Sequence, residues 1–112
     1  MIPIDCADEA PVLAFFHIPL PEYKEVWVLG NCRGNKFEEI CCAKIKSGLF
    51  SVMLERGDVV GTFVGHDCIN DYCGDLHGIQ LCYGRATGFN TYGKDGFQRG
   101  DRIIRLTQGA LI

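Results

Sequence analysis

Apolar residues in this chain gather in short blocks separated by glycine, proline and charge. Residues 12–16, VLAFF, form a continuous apolar run that stops at His17. Five such residues bounded by proline and polar positions predict a buried strand rather than a helix. Pro19 and Pro21 follow within HIPLPEY. They lack amide donors and restrict their neighbours, so the chain is expected to leave the strand as an irregular loop. The fixed φ of Pro21 suits the first turn of a short helix through PEYKEVW. GNCRGNK, residues 30–36, reads as a loop.

The clearest helix is SGLFSVMLERGD. Leu49, Phe50, Met53 and Leu54 make one apolar stripe, Ser47 can cap the start, and Gly57 is a good left-handed stop. VVGTFV, residues 59–64, then reads as a second buried strand. A helix feeding straight into such a strand is α/β grammar. Further on, Tyr72–Leu76 and Ile79–Tyr83 flank His77-Gly78, which predicts a hairpin. Residues 84–100 hold five glycines and read as a long surface loop, and RIIRL, residues 102–106, is expected to be a last strand. The predicted order is strand, helix, helix, strand, then three short strands, with no repeat or low-complexity tract.

Composition narrows the class. A chain of 112 residues suits one domain with one core. The net charge of −3, with Lys and Arg scattered, excludes a nucleic-acid footprint. No apolar run approaches the ~20 residues of a membrane-spanning helix. The segment MIPIDCADEA carries acids where an export signal carries Lys or Arg. That predicts a cytoplasmic, reducing setting, in which the seven cysteines are free thiols.

The chemistry concentrates where the apolar runs end. His17 follows the first strand, and His66 follows the second within GHDCIND. Functional groups gather at the carboxyl ends of strands in open α/β sheets. If the two strands are parallel neighbours, both imidazoles face one crevice, where they can hold a metal or a phosphate. The plainer alternative is that each imidazole bonds a loop carbonyl. Asp67 can orient an imidazole or close its own turn, and Asn70-Asp71 can do the same turn work. Cys68 can supply a thiolate. His66, Cys68 and Cys73 have a loose zinc-knuckle spacing but lack paired C-x2-C halves. Cys32, Cys41, Cys42 and Cys82 read as small core or loop residues, and His77 as a solvated turn residue. The glycine-rich loop matches neither dinucleotide nor P-loop spacing, although Arg85 or Lys94 could touch an anion.

The segments AFFHIPLPEY, SGLF…GDV, GHDCINDYCG and YGKDGF occur in this order. On them, residues 12–106 resemble the C-terminal part of calcineurin-like metallophosphoesterases, in the branch related to purple acid phosphatases. In that family two metal ions, about 3.5–4 Å apart, clamp a phosphate ester and activate water for in-line attack. The family's V-x-x-H motif falls on Ala14-Phe15-Phe16-His17, and its G-H-x-H motif on Gly65-His66-Asp67-Cys68. The resemblance thus implies that His17 and His66 are ligands of one ion. Cys68 replaces the second histidine, and its softer thiolate suits zinc better than iron or manganese. Asp67 and Asn70 would orient the ligands. No catalytic acid, base or nucleophile is assigned. The family's earlier aspartate, asparagine and histidine motifs have no counterpart in residues 1–11.

The expected fold is therefore α/β, the C-terminal half of the four-layer α/β/β/α sandwich, as one partial domain over residues 1–112. The implied function is metal-dependent hydrolysis of phosphate monoesters using iron, zinc or manganese, with this chain alone inactive. The alternative is a non-catalytic relic that pairs with a protein partner, or with itself, through an exposed sheet.

Overall fold

The computed structural model describes residues 10–107. The elements run β1 (Val12–Phe15), α1 (Glu22–Val28), α2 (Leu49–Arg56), β2 (Val59–Val64), β3 (Cys73–Leu76) and β4 (Ile79–Tyr83). The four strands form one mixed sheet in the order β1-β2-β4-β3. β1 and β4 both run parallel to β2, while β3 is antiparallel to β4. The two helices lie in the crossover that a parallel β1–β2 pair requires. The expected α/β class is observed, as one open sheet with two helices.

The local signals explain most of these boundaries. Pro21 immediately precedes α1 with φ −54°. Gly57 ends α2 in the left-handed region, φ 78°, where its N–H caps the Met53 carbonyl. Ser47 lies one residue outside the cap position, which is Gly48, yet its Oγ still accepts from the Leu49 N–H at 3.3 Å. Of the predicted α2 stripe, Phe50 and Met53 are buried, and Leu49 and Leu54 remain largely exposed. His77 and Gly78 both take positive φ, the signature of a mirror-type hairpin turn between β3 and β4.

Strand alternation gives the sheet two unlike faces. One carries Ala14, Thr62, Val64, Leu81, Tyr83 and Gly74 and meets α1. There Tyr23, fully buried, brings its hydroxyl to 2.7 Å from Thr62 Oγ1 and 3.1 Å from the Cys82 carbonyl oxygen. Gly74 is required by this packing, since a β-carbon would fall 2.7 Å from both Val26 Cγ2 and Cys32 Sγ. The opposite face carries Leu13, Phe15, Gly61 and Phe63, with Phe15 66% exposed and stacked on Phe63 at 5.2 Å.

Two expectations need correction. Residues 102–106 form no strand. Ile103 is 94% exposed, and Arg102 instead donates to the Asp71 and Tyr83 carbonyls, so this apolar pattern has no core to face. The cysteines are not all free: Cys73 and Cys82 form a disulfide. They stand directly opposite in the β3–β4 register, with Cα atoms 4.1 Å apart. This also removes Cys73 from any zinc–thiolate grouping with His66 and Cys68. Cys32, Cys41, Cys42 and Cys68 are free. Cys6 lies outside the described residues.

Tyr23→Phe removes the hydroxyl that joins α1 to β2 and β4 while keeping the ring. It is expected to lower unfolding free energy by about 1–2 kcal/mol in urea titration, because Thr62 loses a buried partner. An unchanged midpoint contradicts this account of helix docking.

Candidate metal centre

The β1–β2 ladder continues past the strands to the two histidines. Phe16 N–H donates to the Phe63 carbonyl at 3.1 Å, and Gly65 N–H donates to the His17 carbonyl at 3.0 Å. Beyond Gly65 the backbone turns abruptly, and His66 has φ 70°. A β-carbon in that region costs roughly 1–2 kcal/mol, so the surroundings must hold it there. The turn is closed by Asp67 N–H to the Gly65 carbonyl, 2.8 Å, and Asn70 N–H to the Asp67 carbonyl, 3.0 Å.

This turn aims His66 at His17. His66 Nδ1 lies 3.3 Å from His17 Nε2, with ring centroids 5.1 Å apart and planes at 83°. Two nitrogens bound at 2.0–2.1 Å to one tetrahedral zinc ion are about 3.4 Å apart. The pair therefore fits two adjacent positions on a single ion. Sharing a hydrogen bond instead requires one N–H and one lone pair between the two facing atoms.

The rest of the polar cluster does different work. Asp67 Oδ2 accepts from the Tyr83 hydroxyl at 2.6 Å and from the Cys41 N–H at 3.1 Å. Asn70 Oδ1 accepts from the Phe37 and Glu38 N–H groups at 2.9 and 3.1 Å, and its amide donates to the Glu38 carbonyl. Asp71 accepts from the Asn35 N–H and forms an ion pair with Arg85. These three residues thus fasten the 66–71 turn to residues 35–41 and to the long loop. Gly34, φ 106°, permits this approach, since a β-carbon would lie 2.8 Å from Tyr72 Cα.

Cys68 is not brought to the imidazoles as a third ligand. Its sulfur lies 3.2 Å from Thr91 Oγ1, and its N–H donates to the Tyr92 hydroxyl at 3.1 Å. Among the described residues no group of three or more His, Cys, Asp or Glu side chains could hold a metal ion. The donors present therefore fit one face of one ion and do not fit a two-metal centre, which needs several oxygen ligands. Arg85 is likewise committed, to Asp71, to the Gln98 carbonyl at 2.8 Å and to the Phe97 ring at 4.0 Å. Lys94 sits over the Phe37 ring at 5.1 Å.

Three residues that sequence patterns did not single out complete the surroundings. Glu38 accepts from the Tyr92 hydroxyl, 2.7 and 2.8 Å, and from the Ile69 N–H, 3.0 Å. Burial first, and the Glu38 carboxylate second, push the Tyr92 phenol above its usual range, so it stays a donor. Burial first, then the Asp67 carboxylate, raise the Tyr83 phenol in the same way. Nothing in the spacing of KFEEI or NTYGK marks Glu38 or Tyr92, because their partners come from a different loop.

Comparison with known proteins adds three relatives, all from Arabidopsis thaliana. The chain is 45% identical over 95 residues to a protein named probable inactive purple acid phosphatase 29. It is 42% identical over 95 residues to probable inactive purple acid phosphatase 14. Each match covers 85% of this chain and 24% of the relative. Probable inactive purple acid phosphatase 28 is 38% identical over 99 residues, covering 88% of this chain and 25% of that protein. The chain thus spans about a quarter of the length of the curated relatives it matches. No family model matches the chain, and no solved structure does.

The left-handed backbone at residue 66 sets one expectation. His66→Gly should keep the unfolding free energy from urea titration within about 0.5 kcal/mol of the parent, since relieved strain offsets the lost imidazole contact. His66→Val should lose more than about 1 kcal/mol, because a β-branched residue tolerates φ 70° poorly. Equal effects of the two substitutions would show that the turn is not strained.

Proposed function

Since the chain belongs to the purple acid phosphatase-related branch of the calcineurin-like metallophosphoesterases and matches its C-terminal part, we propose that it is a phosphatase-like, catalytically silent stretch that binds one metal ion. His17 is the ligand through Nε2 and His66 through Nδ1. The observation that carries this reading is their 3.3 Å approach, the spacing of two ligands on one ion. Silence is supported by two facts. The relatives are themselves named inactive, and no third ligand joins the pair among the described residues.

The chemistry follows from the donor set. Two neutral imidazoles suit a borderline ion such as zinc better than iron or manganese, which favour added carboxylate or other oxygen donors. When bound, such an ion supplies a Lewis acid for a phosphoryl oxygen and lowers the pKa of a bound water. The chain's own part is to present two lone pairs at the end of the sheet. For both facing nitrogens to offer lone pairs, the N–H of each ring must sit on its remote nitrogen, His17 Nδ1 and His66 Nε2. Asp67, Asn70 and Asp71 contribute by holding the turn. The substrates of a longer protein containing this stretch would be phosphate monoesters, as for the family.

Isothermal titration with zinc tests this directly. One weak site per chain is expected, lost on His17→Ala and equally on His66→Ala, with no turnover of an aryl phosphate. Absence of zinc binding overturns the metal assignment. Turnover that vanishes in His66→Ala overturns the silence.

A second reading, an interaction module, is favoured by Phe15. This ring, on β1, which is the outer strand among the described residues, is 66% exposed and stacks on Phe63 on the face away from α1. The apolar part of this face is Leu13, Phe15 and Phe63, with Gln80 and Asp75 in register at its far side, so the occupant proposed is a second copy of this chain whose own Phe15 packs on this patch. Sedimentation velocity over rising concentration should then show a dimer that Phe15→Ser disperses. A monomer throughout contradicts it.

A further inference from the structure

Asp67 and Tyr83 are nearly inaccessible, at 2% and 0% exposure, yet each carries a polar end. Those ends meet: the Tyr83 hydroxyl donates to Asp67 Oδ2 at 2.6 Å. Tyr83 is itself held by strand pairing, a backbone hydrogen bond and two ring contacts. It pairs with Val64 in the parallel register, its N–H donates to the Tyr72 carbonyl at 2.9 Å, and its ring packs edge-on against Tyr23 and Tyr72. Asp67 is therefore tied to a fixed point of the sheet. The second donor to the same oxygen, the Cys41 N–H at 3.1 Å, restrains it from the loop side.

Asp67 is also the residue directly after His66. Fixing its side chain fixes the peptide that joins the two, and hence the left-handed φ of 70° at His66. That φ is what turns Nδ1 of His66 toward His17. Without a restraint an L residue leaves this region readily, and the ring would swing away. We propose that the Tyr83–Asp67 hydrogen bond is a positioning lock that sets the direction of the His66 imidazole through the backbone. Tyr83 and Asp67 touch neither ligand atom, and they act one peptide removed from the site. Only the metal-binding part of the test rests on the function proposed above.

Tyr83→Phe keeps the ring and removes the hydroxyl. Two readouts separate positioning from plain stability. The first needs no metal: a nuclear Overhauser effect between the His17 and His66 rings, read in a variant whose β1–β2 amide spectrum is unchanged. The lock predicts that the effect disappears in Tyr83→Phe and persists in Asp67→Asn, which retains an acceptor oxygen for the hydroxyl. The second is zinc affinity, expected to fall by about 10–100-fold in Tyr83→Phe, as for other residues that orient ligands, and to stay near the parent value in Asp67→Asn. An inter-ring effect that survives Tyr83→Phe overturns the lock. If the parent chain binds no zinc, the earlier reading fails while the ring measurement still decides this one. Should Tyr83→Phe lose the fold, Asp67→Ala is read the same way: loss of the ring contact supports the lock, and its survival overturns it.

Discussion

Everything at the imidazole pair depends on the parallel ladder between β1 and β2. The two strands are far apart in sequence and joined by both helices, yet their hydrogen bonds run on beyond the last strand residues to His17 and Gly65. A slip of one residue in a parallel pair would turn every side chain to the other face. The observed register, Phe15 opposite Phe63, therefore fixes which imidazole atoms meet. The buried face enforces that register: Thr62 and Val64 must point at Tyr23 and the core, which leaves no freedom for the residues that follow.

Buried tyrosines organise the rest. Tyr23, Tyr72 and Tyr83 are fully buried and pack edge to face, and each hydroxyl reaches an acceptor in a different element. Tyr23 joins α1 to the sheet, Tyr72 returns to the Tyr23 carbonyl, and Tyr83 reaches Asp67. A phenol combines a large apolar area with one directed donor, so it can close a core and fix a loop together. The polar turn after β2 is thus anchored from inside the core. From outside it is clamped by Asn70, Asp71 and Glu38. Crowding at GHDCIND reflects both anchors, since one short turn bonds at once to the core through Asp67 and to the loops through Asn70 and Asp71.

The elements were legible where local chemistry decides. VVGTFV is β-rich and bounded by Asp58 and Gly65, and His77-Gly78 is a turn whatever surrounds it. The meeting of His17 with His66 was legible only on the condition that the two strands lie side by side in parallel, which is the arrangement observed. RIIRL misled because an apolar run becomes a strand only where an edge awaits it, and here Arg102 finds carbonyls first. The disulfide was hidden by an argument from compartment, although a hairpin centred on residues 77 and 78 already sets Cys73 opposite Cys82. Glu38 and Tyr92 were invisible, since contacts between two irregular loops leave no periodic trace. Cys68 looked like a ligand from its place in a motif, but residue spacing does not say that Thr91 will meet its sulfur.

This phosphatase-related stretch brings two imidazoles together, and among the described residues no carboxylate joins them in a group able to hold an ion. The proposed site is defined by the atoms that would meet an ion. X-ray absorption at the zinc edge of the loaded chain measures them. Two imidazole nitrogens at about 2.0 Å, with only oxygen or nitrogen otherwise, is the predicted shell. A sulfur scatterer at about 2.3 Å would make Cys68 a ligand and contradict the two-histidine site.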